Sequence, residues 1–316
     1  MIEWKEVIKM DMYQKRKIRA EKKNNDSQKS FSKVPISWYP GHMAKTKRLI
    51  KENLNVIDII YEVIDSRIPY SSKIIDIDDL ISNKPRILIM TKYDLCDKSE
   101  TDKFAKYYES LGYKVIKCDL TSNDNLNNLF DLSNEILKDK IKKQEEKGIK
   151  KQTIRALVIG IPNVGKSTLI NKIVGRKITV TGNKPGITKN LSWIRVGKNI
   201  ELLDSPGILW PKLEQDRVAF NLASTTAIKE EILPLEDVAI YILDFLSKYY
   251  KDILIDNYGI VDTSDSYEVF EIIGRKKGCL MKGGLIDYDK VIDIIINDIK
   301  KGKVKGITFD RFEDVK

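Results

Sequence analysis

The stretch GIPNVGKST, Gly160 to Thr168, constrains this chain more than any other. It fits the pattern GxxxxGK[ST] and lies between an apolar run suited to a strand, IRALVI, and an apolar helical run, TLINKIV. In that setting backbone N–H groups turn inward around phosphate oxygens, a lysine places a point charge at the terminal phosphates, and a hydroxyl ligates magnesium. Lys166 is that lysine and Ser167 that hydroxyl, while Asn163, Val164, Gly165 and Thr168 complete the cradle.

A phosphate loop of this kind needs a sheet to carry it. The runs NVIDIIYEVIDSR, PRILIMTKYD, YKVIKCDL, IRALVIGIPN and NIELLDSPG are each apolar and each end in polar or glycine-bearing residues. Such strands, alternating with amphipathic helical segments, indicate an α/β domain: a mostly parallel sheet with helices on both faces, binding ligands at the carboxyl ends of its strands. The charged stretch at 138–152 reads as an exposed connector between two groups of strands. After DSPGILWP, helical spacing takes over, first in Leu235, Val238, Ile242 and Phe245, then in Val291, Ile294, Ile295 and Ile299. Residues 211–316 are therefore expected to form a smaller all-α domain, with Pro234 near a helix start and Lys276 to Gly278 at a boundary.

Charge is distributed unevenly. Of a net charge of +10, residues 1–50 carry thirteen Lys and Arg against five Asp and Glu. Residues 1–34 read as a flexible basic arm, and a basic patch lowers the free energy of approach to a polyanion through counterion release, which makes nucleic acid the leading partner. A solvated charged tail is the alternative. Cys96, Cys118 and Cys279 are far apart and form no CxxC pair, so neither a disulfide framework nor a zinc site is indicated. No apolar run reaches the ~18 residues needed to cross a bilayer. A cytoplasmic protein without a membrane partner is expected.

Three further segments fit a nucleotide site. IELLD ends in Asp204 and continues SPG, so Asp204 can hold magnesium through water while the Gly207 N–H reaches a γ-phosphate. Thr188, in GNKPGITKN, is placed to join the metal shell when a triphosphate is bound, with Thr179 and Thr181 as weaker candidates. Thr91, Lys92 and Asp94, in ILIMTKYD, resemble the NKxD guanine motif with threonine in first place. The Asp94 carboxylate can accept from guanine N1–H and the 2-amino group, whereas adenine offers no such pair of donors. The loop after YKVIK, with Cys118, Asp119 and Leu120, is a further base contact by position alone.

The guanine motif thus precedes the phosphate loop, and DSPG comes last. That order, together with WYPGHMAK, DSRIPYSS, GIPNVGKSTLIN, PGIT, DSPGILWPK and GCLMKGGLIDYDK, resembles the circularly permuted GTPases of the YlqF/RbgA ribosome-biogenesis family. The likeness runs from about residue 37 to 300 and departs at Thr91, at 118–120 and in the arm. It implies a circularly permuted P-loop GTPase domain over 35–210, GTP and GDP as nucleotides, Mg2+ held by Ser167, Thr188 and Asp204, and a helical domain that contacts rRNA. A low intrinsic rate stimulated by the large ribosomal subunit precursor is implied as well, for a protein acting as a monomer. Many GTPases orient the attacking water with a glutamine after the DxxG glycine. Here that position is Ile208, and the resemblance implies that His42, the single histidine of the chain, takes the role. Asn163 matches GTPases that use K+. The rival reading is an RNA-binding scaffold with a regulatory or weakly active GTP site.

Overall fold

The structure, a computed structural model, describes residues 41–75, 77–81, 84–122, 126–148, 153–179, 191–197, 199–209, 215–228 and 233–315. The basic arm and Thr188 lie outside the described residues. Six strands form one sheet in the order β3-β2-β1-β4-β6-β5: β1 (Ile59–Asp65), β2 (Arg86–Thr91), β3 (Lys114–Lys117), β4 (Ile154–Ile159), β5 (Ser192–Val196) and β6 (Ile200–Asp204). All neighbours are parallel except β5 on β6. Every residue of β1 is buried, which is why IIYEVID reads as a nearly continuous apolar run.

Five of these strands correspond to the five apolar runs. Strand β5 was not among them, because SWIRV buries only Ile194 and leaves most of its length exposed at the sheet edge. An edge strand with one wet face carries too little apolar signal to stand out.

Helices α1 (Gly41–Asn53), α2 (Ile77–Ile81), α3 (Lys98–Ser110), α4 (Asn127–Ile136), α5 (Lys138–Glu146) and α6 (Lys166–Val174) occur among and ahead of the strands. The connector is thus helical over 138–146, with no buried residue in α5. Its charge allows a solvated helix as readily as a loop.

After β6 come α7 (Asp216–Ser224), α8 (Leu235–Tyr249), α9 (Lys251–Tyr258), α10 (Ser266–Lys277) and α11 (Tyr288–Lys300). Pro234 stands at the N-cap of α8, and Gly278 closes α10 at φ 70°, a left-handed turn that favours glycine. Val238, Ile242 and Phe245 are buried, as their spacing predicts. On α11 the buried stripe is Val291, Ile292, Ile295, Ile296 and Ile299, with Ile294 only half-buried. The apolar face is rotated by about one position from the expected set, because the isoleucine run offers several helical stripes and packing against α8 and α10 selects one.

Phe104 of α3 is completely buried among Ile64, Leu88, Met90, Ala105 and Tyr108, and meets the edge of Phe312 at 5.2 Å between ring centroids. This cluster joins strands β1 and β2 to the C-terminal stretch. Phe104→Ala is expected to cost about 3–5 kcal/mol of unfolding free energy, the range for emptying a buried aromatic site. Equilibrium denaturation with the slope held fixed measures it.

Candidate nucleotide site

The carboxyl ends of β2, β1, β4 and β6 lie side by side along one edge of the sheet. From β1 the chain runs outward to β2 and β3, whereas from β4 it runs to β6 on the other side. The phosphate loop follows β4, so it opens where the direction of winding reverses, the usual ligand position in an open parallel sheet.

Local backbone chemistry shapes that loop. Asn163 (φ 61°) and Gly165 (φ 103°) take left-handed conformations that turn the chain before α6 begins at Lys166. At Gly160 a Cβ would stand 2.3 Å from the Val63 carbonyl oxygen, so only glycine lets β4 leave the sheet this close to β1. Lys166 is buried and donates to the carbonyls of Gly160 (3.0 Å) and Ile161 (2.7 Å). Ser167 is half-buried, its carbonyl accepting from the Thr179 hydroxyl at 3.1 Å, while Thr168 is exposed.

Asp204, at the end of β6, is buried, and its Oδ1 has no hydrogen-bond partner among the described residues. Burial raises its pKa, opposed by the charge of Lys166, and burial lowers that of Lys166, opposed by Asp204. A buried, unpartnered carboxylate oxygen beside a buried ammonium suits a divalent cation and a phosphate, since a hard cation takes oxygen ligands and a phosphate takes the lysine. Asp204 would help to hold a magnesium ion, which would neutralise phosphate charge there. Gly207 lies against the loop so closely that a Cβ would come within 2.6 Å of the Pro162 nitrogen, and the Ile208 N–H donates to the Gly160 carbonyl at 3.2 Å.

The other side of the loop meets the guanine-type motif. Thr91 is wholly buried, and its hydroxyl bonds to the Val164 carbonyl at 2.5 Å and the Ile64 carbonyl at 3.0 Å. The threonine therefore ties β2 to the phosphate loop. Lys92, at φ 57°, donates to the Asn163 carbonyl at 2.7 Å and to Asp65 at 2.7 Å. Leu120 reaches within 3.2 Å of where a Cβ on Gly165 would stand. Asp94 is half-buried, and its pKa is raised by burial and then by the charge of Asp119. Asp119 in turn accepts from the Thr121 N–H and hydroxyl, both at 2.7 Å.

Thr91, Lys92 and Leu120 thus meet Asn163 to Gly165, and Asp204 and Gly207 adjoin Gly160 to Lys166. His42 falls in the first turn of α1, and its side chain lies outside the described residues, as does Thr188. Two participants were not foreseen. Asp65, at the end of β1, accepts from the Arg67 N–H (3.0 Å), Nε (3.0 Å) and Nη2 (2.8 Å) as well as from Lys92. Burial would raise its pKa, but the charges of Arg67 and Lys92 hold it well below the carboxylate range. Thr226, at φ 60° beyond α7, accepts from Asn163 Nδ2 at 2.5 Å and links the phosphate loop to the helical region. Asp65 was visible as a charge ending an apolar strand in DSR; no signal marked Thr226.

Known proteins resemble this chain in sequence and in fold. A family described as 50S ribosome-binding GTPase matches residues 155–273. The chain is 46% identical to the ribosome biogenesis GTPase A of Bacillus pumilus, over 89% of this chain and 100% of that one. It is 31% identical to the protein of that name from Thermotoga maritima, over 89% and 96% of the two chains. The solved GNP-bound YlqF of T. maritima is 25% identical, with a TM-score of 0.58, and aligns over 84% of this chain and 98% of that one.

If Asp94 pairs with guanine it does so as the carboxylate, and its raised pKa then makes guanine nucleotide affinity fall on acidification from a higher pH than an ordinary aspartate would give. Asp94→Asn replaces one acceptor by a donor and is expected to lose guanine affinity by about 100-fold or more, to remove the acid step, and to favour xanthine, whose 2-position is a carbonyl. Fluorescence titrations with guanosine and xanthosine diphosphates across pH measure both effects.

Proposed function

The chain belongs to the ribosome biogenesis GTPase A family, and on that premise we propose that it acts in late maturation of the large ribosomal subunit, binding the precursor in its GTP form and leaving after hydrolysis. It is a GTPase, turning GTP into GDP and phosphate. The observation that carries the reading is the meeting of the Lys92 side chain, the phosphate loop and the Asp204–Gly207 segment along one sheet edge. A guanine reader, a phosphate cradle and a metal carboxylate then act on one nucleotide.

In this reading Lys166 and the loop N–H groups hold the phosphates, Ser167, Thr188 and Asp204 hold Mg2+, and Gly207 senses the γ-phosphate. Gly207 and Thr188 precede the helical region in sequence, and Asn163 bonds to Thr226 within it, so nucleotide state has a short covalent and hydrogen-bonded route to those helices. Basic residues of the arm and the helices meet rRNA, and the protein works as a monomer. Among the described residues no helix is long and apolar enough to cross a membrane.

Ile208 is buried at the position where many GTPases place a glutamine, and it has no group that can hold a water. The intrinsic rate is therefore low, and His42 enters the site on the ribosomal particle to orient the attacking water. K+ serves as an accessory cation through Asn163; equal rates in K+ and Na+ would remove it.

Two experiments test the proposal. With a non-hydrolysable GTP analogue the protein is expected to co-sediment with large-subunit precursors at moderate salt, and with GDP to leave them; migration apart from the particles in both states refutes the assignment. His42→Ala is expected to keep GTP affinity and to lower particle-stimulated turnover at saturating GTP by roughly 100-fold, the lower range for a lost general base or water-orienting group. Undiminished turnover rejects the role of His42.

A further inference from the structure

The stretch that follows α11 crosses the loop Lys92–Asp97, which carries Asp94. The Gly306 N–H donates to the Leu95 carbonyl at 2.9 Å, and at Gly302 (φ 66°) a Cβ would stand 2.7 Å from Leu95 Cδ2. Two residues on, the Thr308 hydroxyl accepts from the Asp97 N–H at 3.1 Å and lies 2.8 Å from the Thr101 hydroxyl. Thr101 donates to the Ser66 carbonyl at 2.9 Å, and the Thr308 hydroxyl has both the Thr101 hydroxyl at 2.8 Å and the Asp97 carbonyl at 3.3 Å within reach of its proton. A hydrogen-bonded relay results, joining Asp97 through Thr308 and Thr101 to Ser66. Thr308 and Thr101 are both fully buried. The Phe309 N–H donates to the Arg67 carbonyl at 2.7 Å, and Arg67 Nη1 donates to the Ile299 carbonyl at 2.8 Å, which fastens both ends of the crossing.

The loop under this strap does not hold its own shape. Lys92 is a non-glycine residue in left-handed backbone, a state that persists only where surrounding contacts over-determine it. The loop has one internal backbone turn, Leu95 N–H to Lys92 O at 3.0 Å, and its other backbone partners include the strap and the Cys118 carbonyl.

We propose that residues Gly302–Asp310 are a base-site strap, and that Thr308 is a positioning residue for guanine recognition: by fixing Asp97 and Leu95 it holds Asp94 where the base edge lies. The strap makes guanine affinity a property of the helical region as much as of the sheet. Lys305, on the same stretch, offsets with its charge part of the upward pull of burial on Asp94. The assignment rests on Asp94 reading guanine, as proposed above.

The test uses the full chain and a fluorescent GDP derivative. Thr308→Val keeps the shape but ends the relay, and is expected to weaken GDP binding about tenfold and to raise the KM for GTP by a similar factor with kcat unchanged, the scale of one lost buried hydrogen bond. Thr308→Ser, which restores the hydroxyl, is expected to recover affinity. Tyr250→Phe provides a second route if the valine variant fails to fold, since the Tyr250 hydroxyl donates to Asp97 Oδ2 at 3.0 Å and accepts from the Thr308 N–H at 3.2 Å. Folded Thr308→Val or Tyr250→Phe protein with GDP affinity within twofold of the parent overturns the strap, as does a serine variant that recovers nothing. Asp94→Asn separates the two ideas: if it leaves guanine preference intact, the base-site reading has failed, whereas a lost preference beside an unaffected Thr308→Val condemns the strap alone.

Discussion

One buried carboxylate organises the site. Asp65 ends the central strand β1, between the strand that bears the phosphate loop and the strand that bears the guanine motif, and it has no access to water. A carboxylate so placed is tolerable only if its oxygens are taken up by donors. Arg67 and Lys92 supply them, and the same two side chains reach onward to Ile299 and to Asn163. Meeting the needs of one charge therefore ties the guanine-type motif to the phosphate loop and attaches both to the helical region. Removing one partner of such a pair typically costs about 3–5 kcal/mol, because the other is left buried and unpaired.

At the phosphate end the requirement runs the other way. Lys166 and Asp204 are buried near each other, yet the lysine bonds to loop carbonyls and one oxygen of the aspartate has no partner among the described residues. Gly160 and Gly207 pack closely against the neighbouring backbone, and either glycine would clash if it carried a side chain.

The fold and the nucleotide site were legible from the sequence wherever residues close in the chain do the work. The phosphate loop, the apolar strands and the helical stripes each announce themselves within a dozen residues, and the permuted order of the motifs was visible without coordinates. Strand β5 escaped because an edge strand buries one residue in five. Thr91 is legible as the first residue of a guanine-type motif, but that its hydroxyl faces the Val164 and Ile64 carbonyls depends on which strand lies next to β2. Thr226 and the residues after 301 could not be found at all, since their partners are remote in sequence and only a closed fold brings them together.

That remoteness has a kinetic side. Arg67, Ser71 and Thr101 bond to residues 308–310, so chain segments more than two hundred positions apart must meet before these hydrogen bonds form. Closing so long a loop loses entropy early and gains contacts late, which places such pairings at the slow end of folding. The sheet can therefore assemble through its local βα units first, with the loop that carries Asp94 gaining its bonds to residues 306–308 only when the C-terminal residues dock.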